Sequence, residues 1–414
     1  MIDICSLKVS GLLTVNEVLV RIRNAVVTVT AKEKVNLKNA LGRVLATPVL
    51  APINLPFERN SAMDGYAFAS SDIKPEQAFK LTLVGTSWAG RPFVGRLNRG
   101  ECIRIFTGAV LPEQADSVIM QELVTVLENA VEFPTNCRAF QNVRIPGEDV
   151  KQHSLLLDCQ KKLTAVDLGL LAAAGVVEVE VFRRIKIAFF STGDELAPLG
   201  EQLKSGQIYD SNRYILHGLL NDSCFEVIDM GVIADDKAVL EEKLVAASNY
   251  ADVLITSGGA SVGDADYIQE VLASCGKVSF WKIAMKPGKP LAFGSIGQCL
   301  FFGLPGNPIA VIATFDKLVK PALQKICGQP ELKPWQLKAI CQSQLKKTAG
   351  RQEYQRGILS QDEAGLFTVK SAGKQGSNIL SAMSKANCYI ILASTCSGVE
   401  IGEEVIVEPF ECFI

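Results

Sequence analysis

The chain has 414 residues, 48% hydrophobic and 21% charged, with 42 basic side chains against 44 acidic and a net charge of −2. This composition excludes global disorder and supplies roughly three domains' worth of chain, enough to build cores without metal or disulfide staples. The charge balance excludes nucleic-acid binding through a diffuse basic surface, although a local basic pocket stays open.

The most apolar stretch, Leu168 to Val177, has 10 residues, short of the ~18 that a membrane-spanning helix needs. The opening MIDICSLKVS has no leader pattern. Twelve cysteines, the nearest pair eight apart, and only His153 and His217 give no clustered zinc ligands. They read as reduced thiols in a cytoplasmic chain.

In chain order, Thr14-Val-Asn-Glu17 predicts a capping box opening a helix from Val15 to Val27. A second helix is expected from Leu37 to Ala46, then a loop from Ala51 to Ala69. Residues 80 to 133 are β-rich and broken by Gly and Pro, as in a small β module. Thr164 to Gly175 reads as a helix with Thr164 as N-cap and Gly175 as C-cap.

From Arg184 the pattern becomes strand, loop, helix. Strands are predicted at Ile185–Phe190, Phe225–Met230, Asp252–Thr256, Val278–Met285 and Cys299–Phe302. Helices are predicted at Arg213–Leu220, Lys237–Ser248, Ala265–Ser274 and Asn307–Ile326. Such alternation implies a doubly wound, mostly parallel sheet. Pro330 to Pro334 reads as a linker, and the remaining residues as short strands of a β-barrel or sandwich.

Ligands of open parallel sheets bind beyond the carboxyl ends of the strands. There the sequence places Ser191-Thr-Gly-Asp-Glu195, Asp235-Asp236, Ser257-Gly258-Gly259, Lys286-Pro-Gly-Lys-Pro290 and Leu304-Pro-Gly-Asn-Pro308. Ser257-Gly258-Gly259 could admit a phosphate or be a plain tight turn. Asp264 and Asp266 could bind Mg²⁺ or favour a helix start. Asn307 and Pro308 suit an N-cap and first helical turn, whereas Pro305-Gly306 stiffens a backbone approaching something.

Alternation places Phe280, Lys282, Ala284 and Lys286 on one strand face and Trp281, Ile283 and Met285 on the other, with Lys289 in the next turn. Carboxylates beside lysines and glycine turns suggest a metal-bound, phosphate-containing substrate. No histidine adjoins these loops, which excludes a Ser-His hydrolase.

The same residues carry a family resemblance. Asn60-Ser-Ala-Met-Asp-Gly-Tyr66, Ile105-Phe-Thr-Gly-Ala109, Val143-Arg-Ile-Pro-Gly-Glu-Asp149 and the three strand-end motifs at 191, 286 and 304 occur in order. So do Gly350-Arg-Gln-Glu-Tyr354, Gln375-Gly-Ser377 and Ala386-Asn387. The chain therefore resembles the molybdopterin molybdenumtransferases, the MoeA family that includes the gephyrin E domain. Turns depart from its pattern at Glu113-Gln114, Ala260, Asn378 and Cys388.

The resemblance implies a multidomain α/β homodimer. Residues 1–50 with 148–182 would form a discontinuous helical N-terminal domain, 51–147 the β-rich module, 183–328 the molybdopterin-binding sheet domain and 329–414 a C-terminal β-barrel. It further implies molybdenum insertion from molybdate into adenylylated molybdopterin, with Mg²⁺ and release of AMP. A separate molybdopterin adenylyltransferase would supply the substrate. Alternatives are a molybdopterin-binding scaffold without catalysis and a phosphate hydrolase on the same sheet.

By motif, Asp64, Thr107, Arg144 and Asp149 would face a cleft shared with the sheet domain of the other subunit. Glu195, Asp235, Asp266, Lys282, Lys286, Pro305 and Pro308 would line the sheet side, joined by Ser257, Gly258, Gly259, Lys289 and Gly306. Asp64, Glu195, Asp235, Asp266, Lys282 and Lys286 would serve catalysis, with Glu195 and Asp266 as metal ligands. Read without the resemblance, Asp64-Gly65 is an ordinary turn pair, and Arg144 with Asp149 a surface ion pair.

Overall fold

A computed structural model of the chain describes residues 11–258 and 267–410. Its centre is a six-stranded sheet in the order Phe225–Ile233, Ile185–Thr192, Val253–Ser257, Cys299–Leu304, Pro290–Ile296 and Lys277–Lys282. The first four strands run parallel, and Pro290–Ile296 is antiparallel to both neighbours.

Alternation explains why both faces are covered. Ile185, Ile187, Phe189, Val253 and Ile255 point into one core, shared with Val15, Val18 and Ile22 of the helix Val15–Ala25 and with Val311 and Leu323 further along. Ala188, Phe190, Leu254 and Phe301 point into the other, against Leu240 and Leu244 of Lys237–Ser248 and Val271 of Tyr267–Cys275. A fully buried Phe of this kind stabilises the fold by about 2–3 kcal/mol relative to an exposed one.

The β module is a second six-stranded sheet, in the order Ser117–Met120, Gly65–Phe68, Glu101–Ile105, Phe79–Ser87, Ala130–Phe133 and Thr125–Val126. Phe68, Phe79 and Phe133 fill one face, and Ala67, Ile103, Ile105 and Val118 the other. At the C-terminal end, Gln352–Gln361, Phe367–Ser371, Leu337–Cys341, Glu404–Pro409 and Cys388–Leu392 pair in that order. Cys388–Leu392 then pairs back with Gln352–Gln361 and closes a barrel.

Sheet and barrel are joined. Met285–Lys286 leaves the sheet and pairs in parallel with Gln352 and Glu353. The wide-turned segment Phe315–Val319, between the helices Pro308–Thr314 and Lys320–Ile326, offers the buried Lys317 to Glu408. The Lys317 ammonium also lies over the rings of Tyr354 and Tyr389, at 5.3 and 4.7 Å.

The expected capping box forms at Thr14–Glu17, and the expected N-cap Thr164 forms a second box with Asp167. Three local expectations fail. The helix expected over Leu37–Ala46 is a single 3-10 turn, Leu37–Asn39. Gly42 takes a left-handed φ of +72° there, with Ser223 Oγ 2.7 Å from where its Cβ would stand, and Val44 and Leu45 leave in β-bridges.

The stretch expected as a loop over Ala51–Ala69 contains the strands Asn60–Ser61 and Gly65–Phe68. A Cβ on Gly65 would lie 1.8 Å from the carbonyl oxygen of Ile119, so only glycine lets that strand approach its neighbour. Finally, the strand expected over Val278–Met285 ends at Lys282, and Pro290–Ile296 returns beside it as an unforeseen strand. The turn between them is closed by Ile283 N–H donating to the Lys289 carbonyl at 2.6 Å. No described helix is long and apolar enough to cross a membrane.

Candidate active site

Register brings the strand ends level. Ser191 pairs with Ser257, Ser257 with Leu304, and Thr192 with Ile233. The buried Ser191 and Ser257 hydroxyls consequently meet at 3.0 Å. Gly258 turns away with φ +96°, its N–H donating to the Leu304 carbonyl at 3.1 Å.

Past this edge lies a cavity of about 480 Å³. The sheet domain lines it with Gly258, the turn Lys286 to Pro290, Pro305, Gly306, Asn307 and Ala310. The barrel adds Arg351 and the loop Gln375 to Ser377. Lys286, Lys289 and Arg351 bring three cations to this wall, and among the described residues that line it none is acidic.

The parity expectation holds, with Trp281, Ile283 and Met285 buried and Lys282 and Lys286 exposed. Lys282 nevertheless does not line the cavity. Asn307 occupies the N-cap position, yet its side chain makes no capping bond, so capping does not account for it. The preceding Gly306 carbonyl accepts from Asn212 Nδ2 at 2.7 Å, and Pro308 begins the helix.

Barrel residues hold the roof. Buried Arg356 donates to the Lys374 and Gly376 carbonyls, both at 3.0 Å. Gln375 folds inward onto the Arg356 backbone, accepting from its N–H at 2.8 Å and donating to its carbonyl at 3.0 Å. Ser377 then seats on the turn below, its carbonyl accepting from Ile309 N–H at 3.1 Å.

At the other end of the same edge the charge reverses. The strand pairing Thr192 with Ile233 carries Asp194, Glu195 and Asp235 past the sheet together. Partial burial, then repulsion from Asp194 and Glu195, raises the Asp235 carboxyl above its ordinary range. Gly193, at φ +145°, allows this folding back, since a Cβ there would sit 2.5 Å from Glu195 Oε2.

In the β module, Asp64 Oδ1 accepts from both the N–H and the hydroxyl of Thr107, at 2.8 and 2.7 Å. Those bonds, with Arg104 nearby, lower its carboxyl pKa. Arg104 is fixed by Tyr66 Oη at 2.8 Å and by Gln121, and lies over the rings of Tyr66 and Phe106. Arg144 and Asp149 are both exposed. Among the described residues no ion pair joins them, so the surface-pair reading does not hold.

The cavity and the Asp64–Thr107 pair thus belong to two separate constellations, and no residue of the β module lines the cavity. Three regions of the chain match family models: residues 13–175 the MoeA N-terminal region (domain I and II), 188–325 a probable molybdopterin binding domain, and 338–410 the MoeA C-terminal region (domain IV). The chain belongs to the MoeA family of molybdopterin molybdenumtransferases.

Its similarity to the molybdopterin molybdenumtransferase of Haemophilus influenzae is 45% identity over 92% of this chain and 94% of that protein. For the Nostoc enzyme of the same name the figures are 36%, 91% and 88%. A solved molybdopterin biosynthesis MoeA protein from Pyrococcus horikoshii OT3 superposes with a TM-score of 0.83 at 29% identity, covering 97% of this chain and 100% of that one.

Of the sheet-side residues read from the sequence, Gly258, Lys286, Lys289, Pro305 and Gly306 meet at the cavity, while Ser257 and Pro308 stand one residue behind it. Glu195 and Asp235 meet at the acidic end. Gly259, Asp264 and Asp266 lie outside the described residues. Arg351, Gln375 and Ser377 were not among the expected site residues. Their only signal was the pair of tail motifs that contain them.

Proposed function

We propose that this chain inserts molybdenum from molybdate into adenylylated molybdopterin, releasing AMP, as a Mg²⁺-dependent cytoplasmic homodimer. The observation that carries the reading is the cavity whose described wall holds three cations and no acidic side chain. Its volume is that of a small-molecule site. Lys286 and Lys289 supply point charges to oxyanion oxygens, and the planar Arg351 guanidinium can donate to two at once. Gly306 has open space where a Cβ would stand, so the backbone can approach a ligand closely.

The acidic end fits Mg²⁺, which binds through one or two carboxylates and keeps several waters. Asp194, Glu195 and Asp235 offer such oxygens, and a cation relieves the repulsion felt at Asp235. Among the described residues no three Asp, Glu, His or Cys side chains form a closed metal cage. Glu195, together with Asp266, is assigned to the ion. When bound, it offsets charge between substrate phosphate and the carboxylates.

In this reading Asp64, Thr107, Arg144 and Asp149 enter the cleft from the second subunit. Thr107 keeps Asp64 ionised, as an acceptor facing the substrate. Arg144 has no ion-pair partner among the described residues and is available to a phosphate. Lys282 widens the positive field, and a transient contact with a molybdopterin adenylyltransferase delivers the substrate.

AMP release from adenylylated molybdopterin, measured with Mg²⁺ and with or without molybdate, tests the proposal. Release that needs molybdate and is lost in Lys286→Met is the expected result. Release indifferent to molybdate would instead mark a hydrolase, and tight binding without release a scaffold or carrier.

A further inference from the structure

We infer that Glu353 is a positioning residue of the cleft, whose buried carboxylate holds the Lys286 ammonium at the cavity wall and sets the charge an oxyanion meets. The inference rests on the oxyanion-binding reading given above. Glu353 lies behind the wall, its side chain only 5% exposed, while Lys286 in front is 47% exposed.

Both carboxylate oxygens are engaged. Oε1 accepts from Lys286 Nζ at 3.0 Å, and Oε2 accepts from Gln355 Nε2 at 3.0 Å. Gln355 Nε2 is itself tied to the Lys346 carbonyl at 3.1 Å. A carboxylate this buried is tolerated only with its charge paired and its lone pairs satisfied, so Glu353 is held in place. One N–H of Lys286 is thereby committed, and two remain for the cavity.

The ion pair is not needed to place the strand. Met285 and Lys286 already pair in parallel with Gln352 and Glu353, and Gln352 N–H donates to the Ala284 carbonyl at 2.9 Å. What the side-chain pair adds is orientation and charge. Lys289 and Arg351 have no carboxylate partner among the described residues, so Glu353 is the counter-ion for three cations. Among the described residues two positive charges remain at the wall, matching a tetrahedral dianion such as molybdate. Three would hold the anion more tightly.

The test is calorimetric titration of molybdate into the full-length protein. Glu353→Gln keeps the volume and an acceptor for Lys286 but removes the charge. Its molybdate dissociation constant is expected to fall roughly 5- to 20-fold at low ionic strength, with the gap narrowing as salt rises. Lys286→Met is expected to weaken binding at least about 10-fold, because it removes a cation and strands the carboxylate. The double variant restores the net charge and is expected to return to within about 3-fold of wild type.

A purely structural Glu353 predicts the opposite pattern: Glu353→Gln binds no better than wild type, and the double variant no better than Lys286→Met. That result overturns the inference alone. Failure of the wild-type protein to bind molybdate at millimolar concentration overturns both the inference and the reading beneath it. Should Glu353→Gln not fold alone, the double variant, which buries no lone charge, decides the question against Lys286→Met.

Discussion

Lys286, Lys289 and Arg351 surround a cavity at one end of the sheet's carboxyl edge, while Asp194, Glu195 and Asp235 crowd together at the other. The acids owe their position to strand ends that are level in register, whereas the lysines arrive on the turn between Lys277–Lys282 and Pro290–Ile296. They differ in what packs above them. The cations lie under the barrel, which adds Arg351 and places Glu353 behind Lys286. The acids repel one another with no ion-pair partner among the described residues. A site divided in this way suits an anion at one end and a cation at the other.

The largest effect should come from breaking the cationic end or its proposed complement in the second subunit. Lys286→Met and Asp64→Ala are each expected to cut molybdate-dependent AMP release about 100-fold or more. If the site is shared, randomly reassorted mixed dimers recover about a quarter of wild-type activity, because each heterodimer keeps one intact cleft. No recovery would place both residues in one subunit's site.

Next comes the cavity floor. Gly288 has φ +101°, and a Cβ there would stand 2.5 Å from Thr314 Oγ1. Gly288→Ala should destabilise the protein by roughly 2–3 kcal/mol in chemical denaturation, whereas Gly306→Ala, with open space at its Cβ, should change stability little.

A smaller change tests the Asp64 environment. Thr107→Val removes the hydroxyl that is the first cause of the lowered Asp64 pKa. NMR titration should show that carboxyl moving back up, with activity down about 10-fold.

The smallest effect concerns the acidic end. Partial burial and the neighbouring acids hold the Asp235 carboxyl above its ordinary value in the folded protein. The stability this group contributes is therefore full below that value and lost as pH rises through the raised one. Asp235→Asn should raise the neutral-pH melting temperature by roughly 1 °C and leave it unchanged at pH 3. A lower melting temperature at neutral pH would mean that the three acids do not repel as described.

Legibility in the sequence followed the same division. Strand ends in the doubly wound sheet were readable because buried parallel strands are short apolar runs and chemistry sits just beyond them, as at Phe190 and Thr256. The helix Lys237–Ser248, the Thr14–Glu17 capping box and the Thr164 N-cap were equally plain.

Local pattern misled where tertiary contacts decide. Gly65 reads as a turn residue, but its role is close strand approach. The run Val278–Met285 looks continuous, yet its sheet strand stops at Lys282 and Met285 pairs with the barrel. Glu353 lies in the strand Gln352–Gln361, with Arg351 just before it, in a barrel sheet assembled from distant segments, and their part in the cavity appears only once Met285–Lys286 has paired with that strand.

The most direct test of the cationic cleft is a crystal of the protein soaked in tungstate, the heavier analogue of molybdate, with anomalous difference density collected at the tungsten edge. The account predicts one dominant peak within the cavity, in contact with Lys286, Lys289 and Arg351. A dominant peak elsewhere, or none in the cavity, would contradict it.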